Sequence, residues 1–129
     1  MASERPKRAS MLLLEDDAQL AEMIVLTLSD EFEIERAANA EEAKLLLGAR
    51  SFDLLLCDHM MPGKQQGLDF LVYAMEHHPA PRRILMTGYM NPDMLGRSMT
   101  VAGLSACLLK PFDMRELRRR LHECLAAGK

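Results

Sequence analysis

Residues 11–17 read Met-Leu-Leu-Leu-Glu-Asp-Asp: four apolar side chains run without a break into three carboxylates. A short, fully apolar run suits a strand covered on both faces, as in a parallel sheet. Three further runs of the same kind are Leu54–Cys57, Ile84–Met86 and Ala106–Leu109. A weaker fifth, Phe32–Ala37, alternates apolar with charged residues, which suits an edge strand.

The segments between these runs carry helical spacing. Leu20, Ile24 and Leu28 recur every four residues, and Ala43, Leu46 and Leu47 follow Asn39, a capping residue with Glu42 placed to reach back. A third helix is expected over Leu68, Leu71, Val72 and Met75, ending before Pro79. The fourth opens near Asn91 and carries Met94, Leu95, Ser98, Met99 and Ala102. The last starts at Asp113, with Glu116 completing a second capping pattern, and buries Met114, Leu117, Leu121, Cys124 and Leu125. Five strand-helix pairs in strict alternation predict an α/β protein, its parallel sheet flanked by helices on both faces and joined by right-handed crossovers.

A chain of 129 residues and 14.5 kDa is one domain's worth. That domain is expected over residues 10–129. Residues 1–9 carry Arg5, Lys7 and Arg8 but lack the apolar core of a signal peptide, and are expected to be a flexible arm. With 49% hydrophobic and 27% charged residues, disorder and coiled coil are excluded. No apolar run approaches the length of a membrane span, so no membrane partner is expected. A net charge of -3 argues against direct nucleic-acid binding. Three cysteines (Cys57, Cys107, Cys124) lie far apart without a CxxC pair, which predicts a reduced, cytoplasmic protein. Cys57 and Cys107 read as small buried hydrophobes. His59, His77, His78 and His122 have no zinc-site spacing with them.

In an open α/β sheet, ligands bind outside the carboxyl ends of the strands. Those ends carry Glu15-Asp16-Asp17, Asp58, Thr87-Gly88 and Lys110-Pro111. Clustered carboxylates repel one another, and a hard divalent cation such as Mg²⁺ relieves the repulsion. Lys110, Thr87 and backbone N–H groups near Gly88 could then bind phosphoryl oxygens.

Four pieces in order, Met11-Leu-Leu-Leu-Glu-Asp-Asp17, Leu54-Leu-Leu-Cys-Asp58 with Met61-Pro62-Gly63, Ile84-Leu-Met-Thr87-Gly88 and Leu108-Leu-Lys110-Pro111-Phe112, resemble the receiver domain of two-component response regulators. The resemblance runs from Ser10 to Ala126, nearest to the single-domain chemotaxis regulators. It implies a flavodoxin-like, doubly wound five-stranded parallel sheet in the order 2-1-3-4-5 with five helices. It also implies that Asp58 accepts a phosphoryl group from the phosphohistidine of a histidine kinase or a histidine phosphotransfer protein. Asp16 would bind Mg²⁺ directly and Glu15 through water, with Asp58 and the Met60 carbonyl as further ligands. Thr87 and Lys110 would contact the phosphoryl oxygens, and Lys110-Pro111 would be cis. Such a domain is not an enzyme beyond its own phosphorylation and dephosphorylation. With Lys129 as the last residue of this sequence, its output is expected to be a change in binding to a downstream protein effector, a downstream phosphotransfer protein, or an output domain outside this sequence.

Other roles are simpler. Asp17 is expected to cap the first helix, His59 to be solvated, the methionines to fill core, and Arg115, Arg118, Arg119 and Arg120 to form a solvated face. The sequence also departs from the family. The loop between Pro62 and Gly67 is one residue longer, Cys107 replaces the usual aromatic, and Met60 and Tyr89 occupy positions that tune hydrolysis. Cys107 supports an alternative, a phosphorylation-independent adaptor on the receiver fold. A metal-dependent phosphohydrolase would need a second acid where Met60 stands.

Overall fold

Five parallel strands, β1 (Ala9–Leu14), β2 (Phe32–Ala37), β3 (Leu54–Asp58), β4 (Arg82–Thr87) and β5 (Ala106–Leu109), stand in the order β2-β1-β3-β4-β5. The structure is a computed structural model, and it describes residues 8–59, 67–88, 96 and 100–127. Four helices are defined among these residues: α1 (Ala18–Leu28), α2 (Ala40–Ala49), α3 (Gly67–His77) and α4 (Met114–Ala127). Five helices were expected. The segment expected to form the additional one, between β4 and β5, lies mostly outside the described residues, although Gly96, Thr100 and Val101 have helical backbone.

Alternation along each strand divides the core in two. Leu12, Leu14, Leu55, Cys57 and Leu85 face α2 and α3, where Ala43, Leu47, Phe70, Leu71 and Ala74 close the layer. Met11, Leu13, Leu54, Leu56, Ile84 and Met86 face α1 and α4 and meet Ile24, Leu28, Leu117 and Leu121. Helices on both faces explain why the central strands carry no polar side. The outer strands behave differently. β2 is an edge, as its alternation predicts, and β5 is the opposite edge, where Leu109 is 58% exposed.

The caps fix where the helices begin. The Asp17 carboxylate accepts from the N–H groups of Gln19 and Leu20, and Asn39 Oδ1 accepts from Glu42 N at 2.9 Å. The Glu42 side chain reaches one residue further back than expected, to Ala38 N. Asp113 Oδ1 accepts from Glu116 N at 2.7 Å and starts α4.

Three sequence expectations change. Strand β1 starts at Ala9, inside the expected arm, where Ser10 N donates to the Asp53 carboxylate and Ala9 is in register with Phe32. On α3 the buried residues are Gly67, Phe70, Leu71 and Ala74, whereas Leu68 and Val72 are only partly covered. Phe70 and Ala74, which are not among the expected spaced residues, thus share the buried face with Gly67 and Leu71. Finally, Arg118 is only partly solvated: its Nε lies 2.7 Å from Glu31 Oε2, and its Nη2 donates to Thr27 O, tying α4 to the end of α1.

Candidate functional site

The parallel register brings the carboxyl ends of four strands to one level. Leu14 is opposite Cys57, Asp58 is opposite Met86, and Thr87 is opposite Leu109. The residue after β1 is therefore Glu15, the last of β3 is Asp58, the last of β4 is Thr87, and the residue after β5 is Lys110. Glu15, Asp58 and Thr87 are the buried polar residues of the described chain. Burying a charge is costly without partners, so their contacts decide what the place can do.

Lys110 Nζ lies 2.8 Å from Asp58 Oδ1 and 4.0 Å from Glu15 Oε1. Burial alone would lower the Lys110 pKa, but the hydrogen bond and charge of Asp58, joined by Glu15 and Asp16, outweigh it and raise it. The Lys110 backbone N–H donates to Thr87 O at 2.8 Å, and the Lys110-Pro111 bond is cis.

Glu15 is held on several sides. Its N–H donates to Ala37 O at 3.1 Å, and its Oε2 accepts from Asp17 N at 3.1 Å. Its other oxygen, Oε1, is buried with no hydrogen-bond partner among the described residues. Burial, reinforced by the charges of Asp58 and Asp16, outweighs the Asp17 N–H and Lys110 and pushes the Glu15 pKa up to about 7. Asp16 lies at the mouth, partly open to solvent.

Carboxylate oxygens of Glu15, Asp16 and Asp58 lie within 4.8 Å of one another. An orphaned buried oxygen, all-oxygen donors and three carboxylates against a single ammonium fit a hard divalent cation such as Mg²⁺, which keeps several waters and uses few protein carboxylates. The expected ligand set therefore comes together for Glu15, Asp16 and Asp58. The fourth expected ligand, Met60, lies outside the described residues, as does Tyr89.

The structure places the remaining candidates less evenly. Thr87 is buried at the end of β4. Asp17 caps α1, as expected. His59, expected to be solvated, is half-buried: its N–H donates to Met86 O at 2.8 Å and its Nδ1 is enclosed without a hydrogen-bond partner among the described residues. Cys57 is buried, and Cys107 is half-buried against the layer that holds α2 and α3. Burial raises both thiols, and no cysteine is in a disulfide.

Two residues of this region escaped the sequence reading. Arg36, which looked like an edge charge, places Nε and Nη2 on the Glu15 carbonyl oxygen. Gly67 packs α3 so closely on β3 that a Cβ there would stand 1.9 Å from the Asp58 carbonyl oxygen. Nothing in the local pattern around Arg36 could have shown its partner, which lies 21 residues away.

Comparison with known proteins gives one answer. The family model described as "Response regulator receiver domain" matches residues 11–122. The hydrogenase transcriptional regulatory protein HoxA of Cupriavidus necator is 31% identical over 106 residues, 82% of this chain and 22% of the relative. The transcriptional regulatory protein CpxR of Klebsiella pneumoniae is 36% identical over 117 residues, 89% of this chain and 48% of the relative. The chain thus spans from about a quarter to about half the length of these curated relatives. Among solved structures, a CheY-like receiver domain protein from Methanospirillum hungatei superposes with a TM-score of 0.86 at 26% identity, covering 94% of this chain and 96% of that one.

Proposed function

The chain belongs to the response regulator receiver family, and from that premise we propose that it is a phosphorylation-activated signalling domain whose acceptor is Asp58. The observation that carries the reading is the Lys110 ammonium, 2.8 Å from the Asp58 carboxylate, beside three carboxylates gathered within 4.8 Å. The donor is the phosphohistidine of a histidine kinase or a histidine phosphotransfer protein. An Asp58 oxygen attacks phosphorus, the N–P bond breaks, its electron pair stays on the imidazole nitrogen, and an acyl phosphate forms.

Such a transfer asks the protein mainly for positioning and charge neutralisation. Glu15, Asp16 and Asp58, with the Met60 carbonyl, would hold Mg²⁺. When bound, Mg²⁺ neutralises charge on the phosphoryl oxygens. Lys110 supplies the second positive charge, moving from the carboxylate to a phosphoryl oxygen, and the Thr87 hydroxyl supplies a hydrogen bond. No turnover other than this phosphorylation and its hydrolysis is assigned to the chain.

The output is a change in affinity for a protein effector, and a cytoplasmic location fits that chemistry. No helix among the described residues is long and apolar enough to cross a membrane. The names of HoxA and CpxR make those longer proteins transcriptional regulators; for this chain the reading remains a protein partner rather than direct nucleic-acid contact. The intact Asp58-Lys110 pair favours phosphorylation over the adaptor alternative raised by Cys107.

The test is incubation with acetyl phosphate and Mg²⁺, with separation of phosphorylated from free protein. Wild type is expected to label only when Mg²⁺ is present, and Asp58→Ala not at all. An Asp58→Ala protein that labels like wild type would overturn the acceptor. A wild type that binds its effector without ever labelling would establish the adaptor.

A further inference from the structure

Arg36 stands near the end of the edge strand β2, and its Nε and Nη2 both donate to the backbone carbonyl oxygen of Glu15, at 3.0 and 2.8 Å. The next residue, Ala37, accepts the Glu15 N–H at 3.1 Å. A peptide group is planar, so fixing its carbonyl oxygen fixes the plane that also carries the next Cα. Both peptide planes flanking Glu15 are thus tied to the last two residues of β2. The second of these planes joins Glu15 to Asp16, two of the three clustered carboxylates.

The rest of the turn is anchored from the other side. Asp17 caps α1 through its carboxylate and donates its N–H to Glu15 Oε2. Asp16 lies between these anchors at the mouth, so its placement depends on the backbone that carries it. A charge on an edge strand needs only water to be satisfied. Here the guanidinium instead makes a forked, charge-assisted contact with one carbonyl oxygen, which holds an orientation as well as a distance.

The geometry points to Arg36 as a positioning residue of the metal site: it touches neither cation nor phosphoryl group, but sets the peptide plane that presents Glu15 and Asp16 together. This inference rests on reading the carboxylate cluster as a Mg²⁺ site. Two effects of Arg36 have opposite sign. Its positive charge repels a cation, so removing charge alone would tighten Mg²⁺ binding. Its forked hydrogen bond preorganises the ligands, so losing that bond weakens binding, as loss of outer partners does at other metal sites.

The experiment is calorimetric titration of Mg²⁺ into the full chain, comparing wild type, Arg36→Gln and Arg36→Lys, with thermal unfolding in a chelator to compare the folds. Arg36→Gln is expected to weaken Mg²⁺ binding about tenfold. Arg36→Lys keeps the repelling charge but cannot place two donors of one rigid fork on one oxygen, so it too is expected to bind Mg²⁺ more weakly than wild type. In acetyl phosphate labelling, the Mg²⁺ concentration at half-maximal rate should rise by the same factor, while the rate at saturating Mg²⁺ stays near that of wild type.

A folded Arg36→Gln that binds Mg²⁺ as tightly as wild type, or more tightly, overturns the inference. So does a loss confined to the saturated rate. Should Arg36→Gln fail to fold, an Arg36→Lys protein equal to wild type overturns it and a weaker one supports it. A wild type that binds no Mg²⁺ at all removes the metal reading itself, and the inference with it.

Discussion

Lys110 Nζ meets Asp58 Oδ1 at 2.8 Å although their strands are not neighbours, because β4 lies between β3 and β5. The lysine spans the width of a strand to reach the one carboxylate that ends β3. In a buried place this ammonium has two uses: it offsets the Asp58 charge before phosphorylation, and it is at hand when phosphoryl oxygens arrive.

Lys110→Ala should therefore slow labelling of Asp58 by acetyl phosphate about 100-fold at saturating Mg²⁺, the usual cost of removing one preorganised charge-stabilising donor. The rate of phosphoprotein formation measures it. A rate equal to wild type would mean that Lys110 acts only before phosphorylation.

Gly67 and Gly48 should respond to alanine with opposite signs. A Cβ on Gly67 would meet the Asp58 carbonyl oxygen at 1.9 Å and its carbon at 2.8 Å, backbone atoms that cannot step aside. Gly67→Ala should destabilise by about 3 kcal/mol and displace the end of β3 that carries Asp58. Gly48 lies in α2 with nothing within 4 Å of its Cβ position, so Gly48→Ala should stabilise by about 0.5 kcal/mol. Urea unfolding of both variants decides, and equal effects would refute the close approach.

Glu31 links the start of β2 to α4. Its carboxylate is 2.7 Å from Arg118 Nε and 2.6 Å from His122 Nε2, and the His122 hydrogen bond, with Arg118 beside it, lowers its pKa. A depressed carboxylate binds its proton more tightly in the unfolded chain. Its stabilisation is thus present above the ordinary carboxylate range and lost as pH falls through the folded pKa. Glu31→Gln should cost about 1 kcal/mol near neutral pH and converge on wild type in acid. A constant difference between the two proteins from pH 7 to pH 3 would exclude the ion pair as its cause.

The parts of this molecule that were legible in the sequence are those encoded by neighbours. Strand β3 is a bare apolar run because both faces are covered, and Asp17, Asn39 and Asp113 announce helix starts through bonds two or three residues away. Glu15, Asp16, Asp58 and Lys110 were legible because strand ends converge in any parallel sheet. Arg36 and Arg118 were not, since each looks like an ordinary surface charge until the strand order and helix placement bring its partner within reach. On α3, Leu68 and Val72 are as apolar as Phe70 and Leu71, so composition alone does not choose which of them the sheet covers.

The last expectation concerns the pH response of the metal-free protein. Glu15 is fully buried, and its pKa is raised from 4.5 to about 7, chiefly by burial and also by Asp58 and Asp16. A raised carboxylate pKa means that the folded chain holds this proton more tightly than the unfolded chain does. Its contribution to stability is therefore fully present below the unfolded pKa, declines as pH rises from about 4.5, and is lost once pH passes about 7. Such a shift corresponds to about 3 kcal/mol. In a chelator, Glu15→Gln, which keeps the shape and cannot ionise, should be more stable than wild type at pH 8 by up to that amount and similar to it at pH 5. Saturating Mg²⁺ should reverse the order at pH 8, because a cation that binds only the folded state stabilises it by mass action and the variant has lost one carboxylate. Thermal unfolding at the two pH values, with and without Mg²⁺, gives all four comparisons. A metal-free Glu15→Gln protein less stable than wild type at pH 8 would mean that Lys110 and the Asp17 N–H already compensate the buried charge, and the electrostatic case for a cation at this cluster would fall with it.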